Sequence, residues 1–250
     1  VELVGKFTNA YGQTRAVRGF YDGGCRWRVR FRADVPGKWC YEATFSDGAA
    51  GAQGDFMVLS REERFAPVQI NPANPIWFRR GVAPFYPRAF HAGDRFFAAN
   101  WPVPERLRFL DWLQAQGYNT LSIASHLLNR NVAGRGRGWE TPRLWPLDAA
   151  EYRKLEAVLD ELDRRGIVVF PFAGFIGKDS DYPRTPADQD RFVRYTMARL
   201  GYRGNLWYNV AGPEPNLKDH WLPPEVVTRL GRLVRRSEER RVGKECRSRW

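Results

Sequence analysis

The feature that most constrains the fold is an alternation of helical and strand patterns that begins near residue 103. Leucines recur at helical spacing over Val103–Gln116 and Gly117 follows them, which predicts a first helix and its end. The apolar run Thr120–Ser125 comes directly afterwards and is typical of a strand. Alternation of this kind favours a parallel sheet whose strands are joined by right-handed helical crossovers.

The same alternation continues further along the chain. Asp148 is a typical N-cap with Glu151 at the capping-box position, and an apolar stripe leads from there to Gly166, so a second helix is predicted between them. The segment IVVFPFAG, residues 167–174, is apolar throughout, as expected for a strand that is covered on both faces.

Two further helices are predicted, one started by Thr185 and Pro186 and one by Pro224. Apolar segments lie between and ahead of the helices. The sequence therefore predicts four strands of one parallel sheet: Phe85–Phe90, Thr120–Ser125, Ile167–Gly174 and Leu206–Gly212.

An open Rossmann-type sheet and a (β/α)8 barrel both contain repeated units of this kind. No GxGxxG follows the first strand, and GRGRG at residues 134–138 lies in a loop far from a strand end, so a dinucleotide site is weakly supported. The barrel is the preferred prediction. A complete barrel needs about 250 residues, so residues 66–235 are expected to form only the N-terminal half of one.

Residues 1–60 follow a different pattern. In CRWRVRFR the apolar residues from Cys25 to Phe31 alternate with arginines, which predicts a half-buried strand. A turn at Asp34–Gly37 leads to a second alternating run, Trp39–Phe45, so the two should pair as a hairpin. Several short strands with Gly and Pro turns predict a small antiparallel β-sandwich, and the whole chain is expected to be multidomain.

Composition argues against some functions. The net charge of +12 invites a nucleic-acid hypothesis, but Arg greatly outnumbers Lys among the 40 basic residues and no nucleic-acid-binding signature accompanies the charge. We therefore expect no nucleic-acid partner. The four arginines that alternate with the apolar residues of CRWRVRFR could grip an anionic polymer, but a solvated sheet face is the favoured interpretation.

The three cysteines and three histidines show no metal-ligand spacing, so no metal and no cofactor are expected. A Cys25–Cys40 disulfide is not expected, because the predicted hairpin places the two on opposite faces. No run of about 18 apolar residues occurs, so no membrane span is predicted.

The last segment, RSEERRVGKECRSRW at residues 236–250, has no helical apolar stripe. One interpretation is a basic, solvated tail. The preferred one is a foreign tail, because the string resembles the in-frame translation of a sequencing-adapter oligonucleotide. On that expectation the natural protein is longer, and residues 236–250 take no part in the fold.

Residues 1–60 also resemble a known module. The pattern consists of an aromatic-Asp-Gly-Gly turn, a strand ending in Val-Arg-Phe and a Pro-Gly-x-Trp hairpin, which Tyr21–Gly24, Val29–Phe31 and Pro36–Trp39 match. These features are similar to the small Ig-like β-sandwich of unknown function that precedes certain glycoside-hydrolase barrels. The resemblance implies an accessory module without catalytic chemistry.

Residues 68–235 resemble the first half of a clan A glycoside-hydrolase barrel, in particular the apiosidase-like barrels that follow this sandwich. The segments GYNTLSI, RRGIVVFPF and LWYNVAGPEPN are similar to strands two, three and four, in architecture and order more than in exact motif. The resemblance implies a general acid/base Glu at the end of strand four, directly after an Asn, and a nucleophilic Glu at the end of strand seven.

Glu214 stands where the resemblance places the general acid/base. The preceding residue is Pro213 rather than Asn, and the nearest Asn before it is Asn209. An alternative is therefore a surface-loop glutamate near the start of the next helix.

Other residues near the strand ends are candidates for sugar binding, because aromatic rings stack on sugars and polar side chains bind hydroxyls. For the histidines a purely structural role is an equal alternative, and Phe172 could fill the core. The candidates are His91, His126, Trp145, Phe172 and Asn209.

The resemblance implies part of a glycoside hydrolase that cleaves O-glycosidic bonds of plant or microbial polysaccharide by a retaining, two-carboxylate mechanism. The nucleophile is expected outside this sequence, so the 250-residue chain alone should be inactive. One alternative is a non-catalytic carbohydrate-binding or surface protein on a degenerate barrel, and another is a basic nucleic-acid-binding protein. The partner is expected to be a carbohydrate, and the resemblance implies a secreted or periplasmic protein.

Overall fold

A computed structural model describes most of the chain, namely residues 1–60, 66–92, 96, 101–123, 144–171, 183–210, 216–217 and 220–239. The chain forms two compact units. The first comprises the described parts of Val1–Arg61, Asp190–Arg203 and Gly231–Trp250. The second comprises the described parts of Glu62–Gln189 and Gly204–Leu230.

The first unit contains six strands in two antiparallel sheets. They are β1 (Leu3–Asn9), β2 (Thr14–Arg18), β3 (Phe20–Tyr21), β4 (Trp27–Arg28), β5 (Gly37–Phe45) and β6 (Ala52–Val58). The larger sheet has the order β2-β1-β5-β6, and β3 pairs with β4 in the smaller one. Alternation within β1 buries Leu3 and Phe7 on one face, as expected for a strand that is half covered.

The core of this unit is built on Phe7, Val17 and Trp39, which are all buried. Trp39 is fully buried and its indole Nε1 donates a hydrogen bond to the carbonyl oxygen of Val35, 2.9 Å away. Val29 and Phe31 pack against the same cluster. The predicted inward face of the sequence CRWRVRFR is thus confirmed for these two residues.

The predicted hairpin between Cys25–Arg32 and Trp39–Phe45 is wrong. Only Trp27 and Arg28 are in a strand, and they pair with β3, whereas β5 lies between β1 and β6. Between Arg28 and Gly37 the chain passes from the smaller sheet to the larger one. The apolar side chains of the two segments therefore face each other across the core, instead of lying on neighbouring strands of one sheet.

Cys25 also departs from the predicted strand. It has a φ of 58° and is exposed, because the chain turns through Gly23 and Gly24, which also have positive φ. Cys25 and Cys40 are both free and exposed.

The second unit begins with a small antiparallel sheet of three strands, β7 (Val68–Ile70), β8 (Phe78–Arg80) and β9 (Ala83–Phe85). Gly81, at a φ of 60°, forms the tight turn between β8 and β9. The predicted strand Phe85–Phe90 is therefore wrong as one element. Pro87 has no N–H for a ladder, and the chain divides there into β9 and a separate parallel strand, β10 (Ala89–His91).

A parallel sheet follows, with strands in chain order and a helix in each connection. Its elements are β10, α1 (Val103–Ala115), β11 (Thr120–Ile123), α2 (Ala149–Arg164) and β12 (Val168–Pro171). After α3 (Pro186–Leu200), Leu206 makes a parallel bridge to Val169. The predicted fourth strand is thus present as a bridge at Leu206, and residues 207–210 are irregular.

Local sequence signals account for the helix ends. Asp148 Oδ1 accepts a hydrogen bond of 2.7 Å from the Ala150 N–H, and Thr185 Oγ1 accepts one of 3.2 Å from the Asp188 N–H. Gly117 and Gly166 follow α1 and α2 with positive φ. The predicted caps and stops of these helices are confirmed.

The remaining elements are the short antiparallel pair β13 (Asn216–Leu217) and β14 (His220–Trp221) and the helix α4 (Pro224–Glu239). The helix therefore extends four residues into the segment predicted to be a foreign tail. The described chain is mixed in class, with several antiparallel sheets, one parallel sheet and four helices. None of its described helices is both long and apolar enough to cross a membrane.

Candidate functional site

The candidate site lies at the carboxyl ends of the parallel strands, where the ligand-binding loops of parallel α/β folds are located. In the register of the sheet, His91 lies opposite Ser122, and Ser122 lies opposite Phe170. Trp207 extends this row, since Leu206 bridges the residue that precedes Phe170. The row lies at or next to the last residue of each strand.

The two faces of this sheet differ. Phe90 contacts Phe109 and Trp112 of α1, with ring centroids 5.5 Å and 5.4 Å apart, so its side of β10 is the helix-covered side. Successive side chains of a strand point to opposite faces. His91 and its register partner Ser122 therefore lie on the face away from α1.

The histidine and the serine form a side-chain pair. His91 Nδ1 and Ser122 Oγ are 3.1 Å apart, a hydrogen bond whose donor depends on the tautomer of the imidazole. Ser122 is buried whereas His91 is exposed. The backbone reinforces the pair, since the N–H of Ala92 donates to the carbonyl oxygen of Ser122 at 2.8 Å. A buried hydroxyl thus orients an accessible ring at the strand ends.

The other half of the row is aromatic. The Trp207 indole stacks on Phe78 of β8, with centroids 5.1 Å apart, and meets the edge of Phe170 at 5.9 Å. All three rings are half-buried. The row therefore changes from polar at β10 and β11 to apolar at β12 and residue 207, a combination that suits a ligand with both hydroxyl groups and carbon faces.

One layer below, towards the amino ends of the strands, lie buried polar groups. Thr120 and Asn205 are 2% and 3% exposed, and Thr120 Oγ1 donates to Asn119 Oδ1 at 3.0 Å. Asn205 Nδ2 donates to the carbonyl oxygen of Ile167 at 3.3 Å, and its Oδ1 is buried with no hydrogen-bond partner within the described chain. Burying a polar side chain costs free energy unless it is hydrogen-bonded. Because this face buries Thr120 and Asn205, it differs from an ordinary apolar core.

Arg80 supports the amino end of the same sheet. Its Nη1 donates to the carbonyl oxygen of Gly166 at 2.8 Å, and its guanidinium carbon lies 4.7 Å from the ring centroid of Phe85. Burial lowers the pKa of Arg80 from its ordinary value, and the charge of Asp163 opposes that shift. The side chain anchors β8 to the turn that precedes β12.

The predicted site residues have different positions in this arrangement. His91 is part of the row, and Asn209 is half-buried two residues after Trp207. Trp145 is half-buried in the segment that precedes the N-cap of α2. The predicted residues Glu214, His126 and Phe172 lie outside the described residues.

Sequence reasoning missed Ser122 and Trp207. Ser122 was read as part of an apolar strand, although polar Thr120 and Ser122 alternate with Leu121 and Ile123 in TLSI. That alternation was the available signal, since it marks one face of the strand as polar. Trp207 gave no such signal, because a tryptophan in an apolar run is equally typical of a core.

The described strand ends carry no carboxylate, and no cluster of three or more His, Cys, Asp or Glu within the described residues could hold a metal ion. By itself, the row of His91, Ser122, Phe170 and Trp207 has the chemistry of a binding surface.

Comparison with known proteins gives two matches. Residues 1–46 match the model of a domain of unknown function, DUF5060. No curated protein matches the chain. A crystal structure described as that of a "putative glycoside hydrolase" from Bacteroides vulgatus ATCC 8482 is similar, with a TM-score of 0.71 and 19% sequence identity.

That similarity covers 95% of this chain and 49% of the other, so this chain spans about half the length of the solved protein. The two share a fold. At 19% identity the match supports a glycoside hydrolase-like fold for nearly the whole chain and assigns no role to any residue. The match to DUF5060 falls within the module predicted over residues 1–60.

Proposed function

We propose that this chain is part of a glycoside hydrolase whose catalytic domain is a (β/α)8 barrel, with the parallel strands β10 to β12 and Leu206 as its first four. The observation that carries the proposal is the row at the strand ends, where polar and aromatic side chains share the face away from α1. In a barrel that face points towards the axis and that end holds the active site. The shared fold with a solved protein described as a "putative glycoside hydrolase" supports the same conclusion.

Glu214 is the proposed general acid/base, since in the sequence it follows the predicted fourth strand, in which Leu206 makes the parallel bridge to Val169. Its carboxyl group protonates the leaving glycosidic oxygen while a second carboxylate attacks the anomeric carbon. Glu214, deprotonated by that step, then removes a proton from the water that attacks the anomeric carbon and breaks the bond between the sugar and the nucleophile. In a retaining enzyme the two carboxyl groups are about 5 to 5.5 Å apart. The proposed nucleophile is a glutamate at the end of strand seven, beyond this sequence.

Substrate binding is assigned to the residues around this row. His91 and Asn209 are proposed to hydrogen-bond sugar hydroxyls, and His126 is proposed to do the same from the end of the next strand. Trp145 and Phe172 are proposed stacking surfaces for the sugar rings. The proposed substrate is a plant or microbial polysaccharide, encountered outside the cytoplasm.

A second candidate function is a non-catalytic carbohydrate-binding protein on the same scaffold. The observation that favours it is Pro213, which stands where the resemblance expects an Asn directly before the acid/base. Proline lacks the side-chain amide of asparagine, so position 213 offers no side-chain hydrogen bond next to Glu214.

The experiment uses the full-length protein, including the sequence downstream of this chain, and aryl glycosides as substrates. We expect Glu214→Gln to lower the hydrolysis rate by about 10²- to 10⁴-fold, because general acid–base catalysis contributes that much. Glu225→Gln, in the first turn of α4, is the matched control and should leave the rate unchanged.

Azide separates a catalytic from a structural effect of Glu214→Gln. With an activated leaving group, azide should restore turnover and yield a glycosyl azide, since azide needs no general base to attack the covalent intermediate. Wild-type protein that binds oligosaccharide without hydrolysing any glycoside would establish the second candidate function instead.

A further inference from the structure

The acidic residue of the Tyr21–Gly24 turn is buried and holds two arginines. Asp22 is 3% exposed; its Oδ2 accepts a hydrogen bond of 2.6 Å from Arg28 Nε, and its Oδ1 lies 2.9 Å from Arg199 Nη1. Arg28 belongs to the neighbouring strand β4, whereas Arg199 belongs to the part of α3 that lies in the same compact unit. One carboxylate thus joins two segments that are far apart in sequence.

Arg199 cannot be explained as a surface residue of a helix. Its side chain is 0% exposed, although arginine is almost never fully buried unless it is paired. Besides Asp22, the guanidinium donates to the hydroxyl oxygen of Tyr195, 3.0 Å away. A buried cation needs a close carboxylate to offset its lost hydration, and Asp22 supplies it.

Aromatic rings extend the contact on both sides of the ion pair. The guanidinium carbons of Arg199 and Arg30 lie 4.7 Å and 5.0 Å from the centroid of Phe20. Arg30 also lies 5.4 Å from the centroid of Tyr202, and Arg203 lies 5.1 Å from the same ring. Guanidinium groups and rings therefore alternate, in the geometry of cation–π contacts.

Two hydrogen bonds to main-chain carbonyl oxygens also join α3 to the N-terminal segment, one donated from each side. The hydroxyl of Tyr195 donates to the carbonyl oxygen of Tyr21 at 2.8 Å, and Arg30 Nη1 donates to the carbonyl oxygen of Arg199 at 3.0 Å. The second of these oxygens lies in the last turn of α3, where helix carbonyls have no partner within the helix.

These contacts explain two sequence motifs that have no role in the proposed function, namely the aromatic-Asp-Gly-Gly turn and the alternating arginines. In the aromatic-Asp-Gly-Gly turn, the Asp22 N–H donates to the Arg26 carbonyl oxygen at 2.8 Å, and Gly23 and Gly24 adopt positive φ. The turn thereby fixes the backbone of a buried carboxylate. Of the alternating arginines, Arg28 and Arg30 bind within the unit and are not simply a solvated face.

We propose that the N-terminal module, matched to a domain of unknown function, serves as an obligatory structural partner of residues 190–203. It supplies the counter-ion Asp22 and the Phe20 ring without which Arg199 cannot be buried. The module then cannot be removed without loss of structure in residues 190–203. The second half of α3 and strands β3 and β4 fold and unfold as one cooperative unit. This role holds whatever reaction or ligand the rest of the protein serves.

The test is amide hydrogen exchange on the intact chain with three substitutions: Asp22→Asn, Arg199→Met and the double variant. We expect Asp22→Asn to lower the protection of amides in residues 195–203 by at least about tenfold, because it leaves a buried cation without its counter-ion. Asp55→Asn is the matched control. Asp55 is paired with Lys38 at 3.2 Å in the same unit, but both side chains are more than half exposed, so protection should not change.

The double variant shows that the effect passes through Arg199. The double variant removes the charges of Asp22 and Arg199 together, so no buried cation is left without a counter-ion. Arg28 also loses its partner Asp22, but its side chain is half exposed and stays hydrated. The amides of residues 195–203 should therefore be better protected in the double variant than in Asp22→Asn alone. The same recovery is expected if Asp22→Asn prevents folding. The proposal is overturned if Asp22→Asn affects residues 20–28 while 195–203 stay protected, or if the double variant is no better than Asp22→Asn.

Discussion

His91 Nδ1 lies 3.1 Å from Ser122 Oγ, and the two residues occupy one register position of adjacent parallel strands. Neither strand alone would fix the ring, because the serine hydroxyl comes from β11 and the imidazole from the last residue of β10. The buried hydroxyl restrains the exposed ring at the end of the sheet. The tautomer of His91 is thus linked to its hydrogen bond with Ser122.

Ser122→Ala should change the tautomer ratio of His91. The hydroxyl can donate to one tautomer and accept from the other, so the ratio should change by at most about fivefold, the factor that a whole hydrogen bond of about 1 kcal/mol corresponds to. Nitrogen NMR of the imidazole rings measures it directly, and the chain has only three histidines to assign. Ser46→Ala, at an exposed serine of the first unit, is the control. Identical His91 signals in wild type and Ser122→Ala would show that the pair is not formed in solution.

Local features of the fold could be predicted from the sequence. The caps Asp148 and Thr185 act on backbone groups two and three residues away, so their effect is visible in the sequence itself. The apolar stripe of α2 is buried as predicted, because its spacing alone fixes one face of the helix.

Features that depend on distant residues could not be predicted. Val29 and Phe31 face the core as their alternation indicates, but the choice of sheet partner for this segment depends on β3, β1 and β6. Likewise Arg199 has the sequence context of a solvated helix residue, and its burial depends on Asp22 in another part of the chain.

The candidate site was only partly accessible to sequence reasoning. His91 was found because a histidine at a strand end is conspicuous, whereas its partner Ser122 depends on the register between two strands. The proposed roles of Glu214, His126 and Phe172 remain predictions, since these residues lie outside the described part of the chain.

A charged network joins α1 to the end of α2 and should make the free energy of unfolding depend on pH in the acidic range. Glu161 Oε1 accepts a hydrogen bond of 2.7 Å from Arg165 Nε, and Arg165 Nη1 donates to Asp111 Oδ1 at 2.5 Å and to Gln114 Oε1 at 2.8 Å. Hydrogen bonds from Arg165 and then Arg164 hold the pKa of Glu161 below its usual value. The network therefore favours the ionised form of Glu161 in the folded state.

Glu161→Gln should lower the free energy of unfolding by about 1 kcal/mol at pH 7, since the pair is only partly exposed. A carboxyl with a lowered folded-state pKa stabilises the fold above its unfolded-state pKa of about 4.3, and this contribution is lost as the pH falls through the lower, folded-state value. The difference between wild type and Glu161→Gln should therefore shrink below about pH 4. Urea unfolding at a series of pH values measures it.

Glu2→Gln is the control for this pH series. Glu2 pairs with Arg18 at 2.5 Å, but its side chain is 61% exposed, so its removal should change stability by less than about 0.5 kcal/mol. A difference between wild type and Glu161→Gln that stays constant down to pH 3 would contradict a role for the ionised carboxylate.

Trp39 should be the most sensitive aromatic residue of the first unit. Trp39→Phe leaves a cavity in a fully packed core and removes the donor that the Val35 carbonyl oxygen uses, 2.9 Å away. Losing this part-buried hydrogen bond costs about 0.5 to 1.5 kcal/mol, and the cavity adds to that cost because the surroundings relax only partially. Trp77→Phe makes the same change at a side chain that is 47% exposed and should cost less than about 1 kcal/mol. Chemical denaturation followed by circular dichroism compares the two, and equal losses would mean that Trp39 is not at the centre of this core.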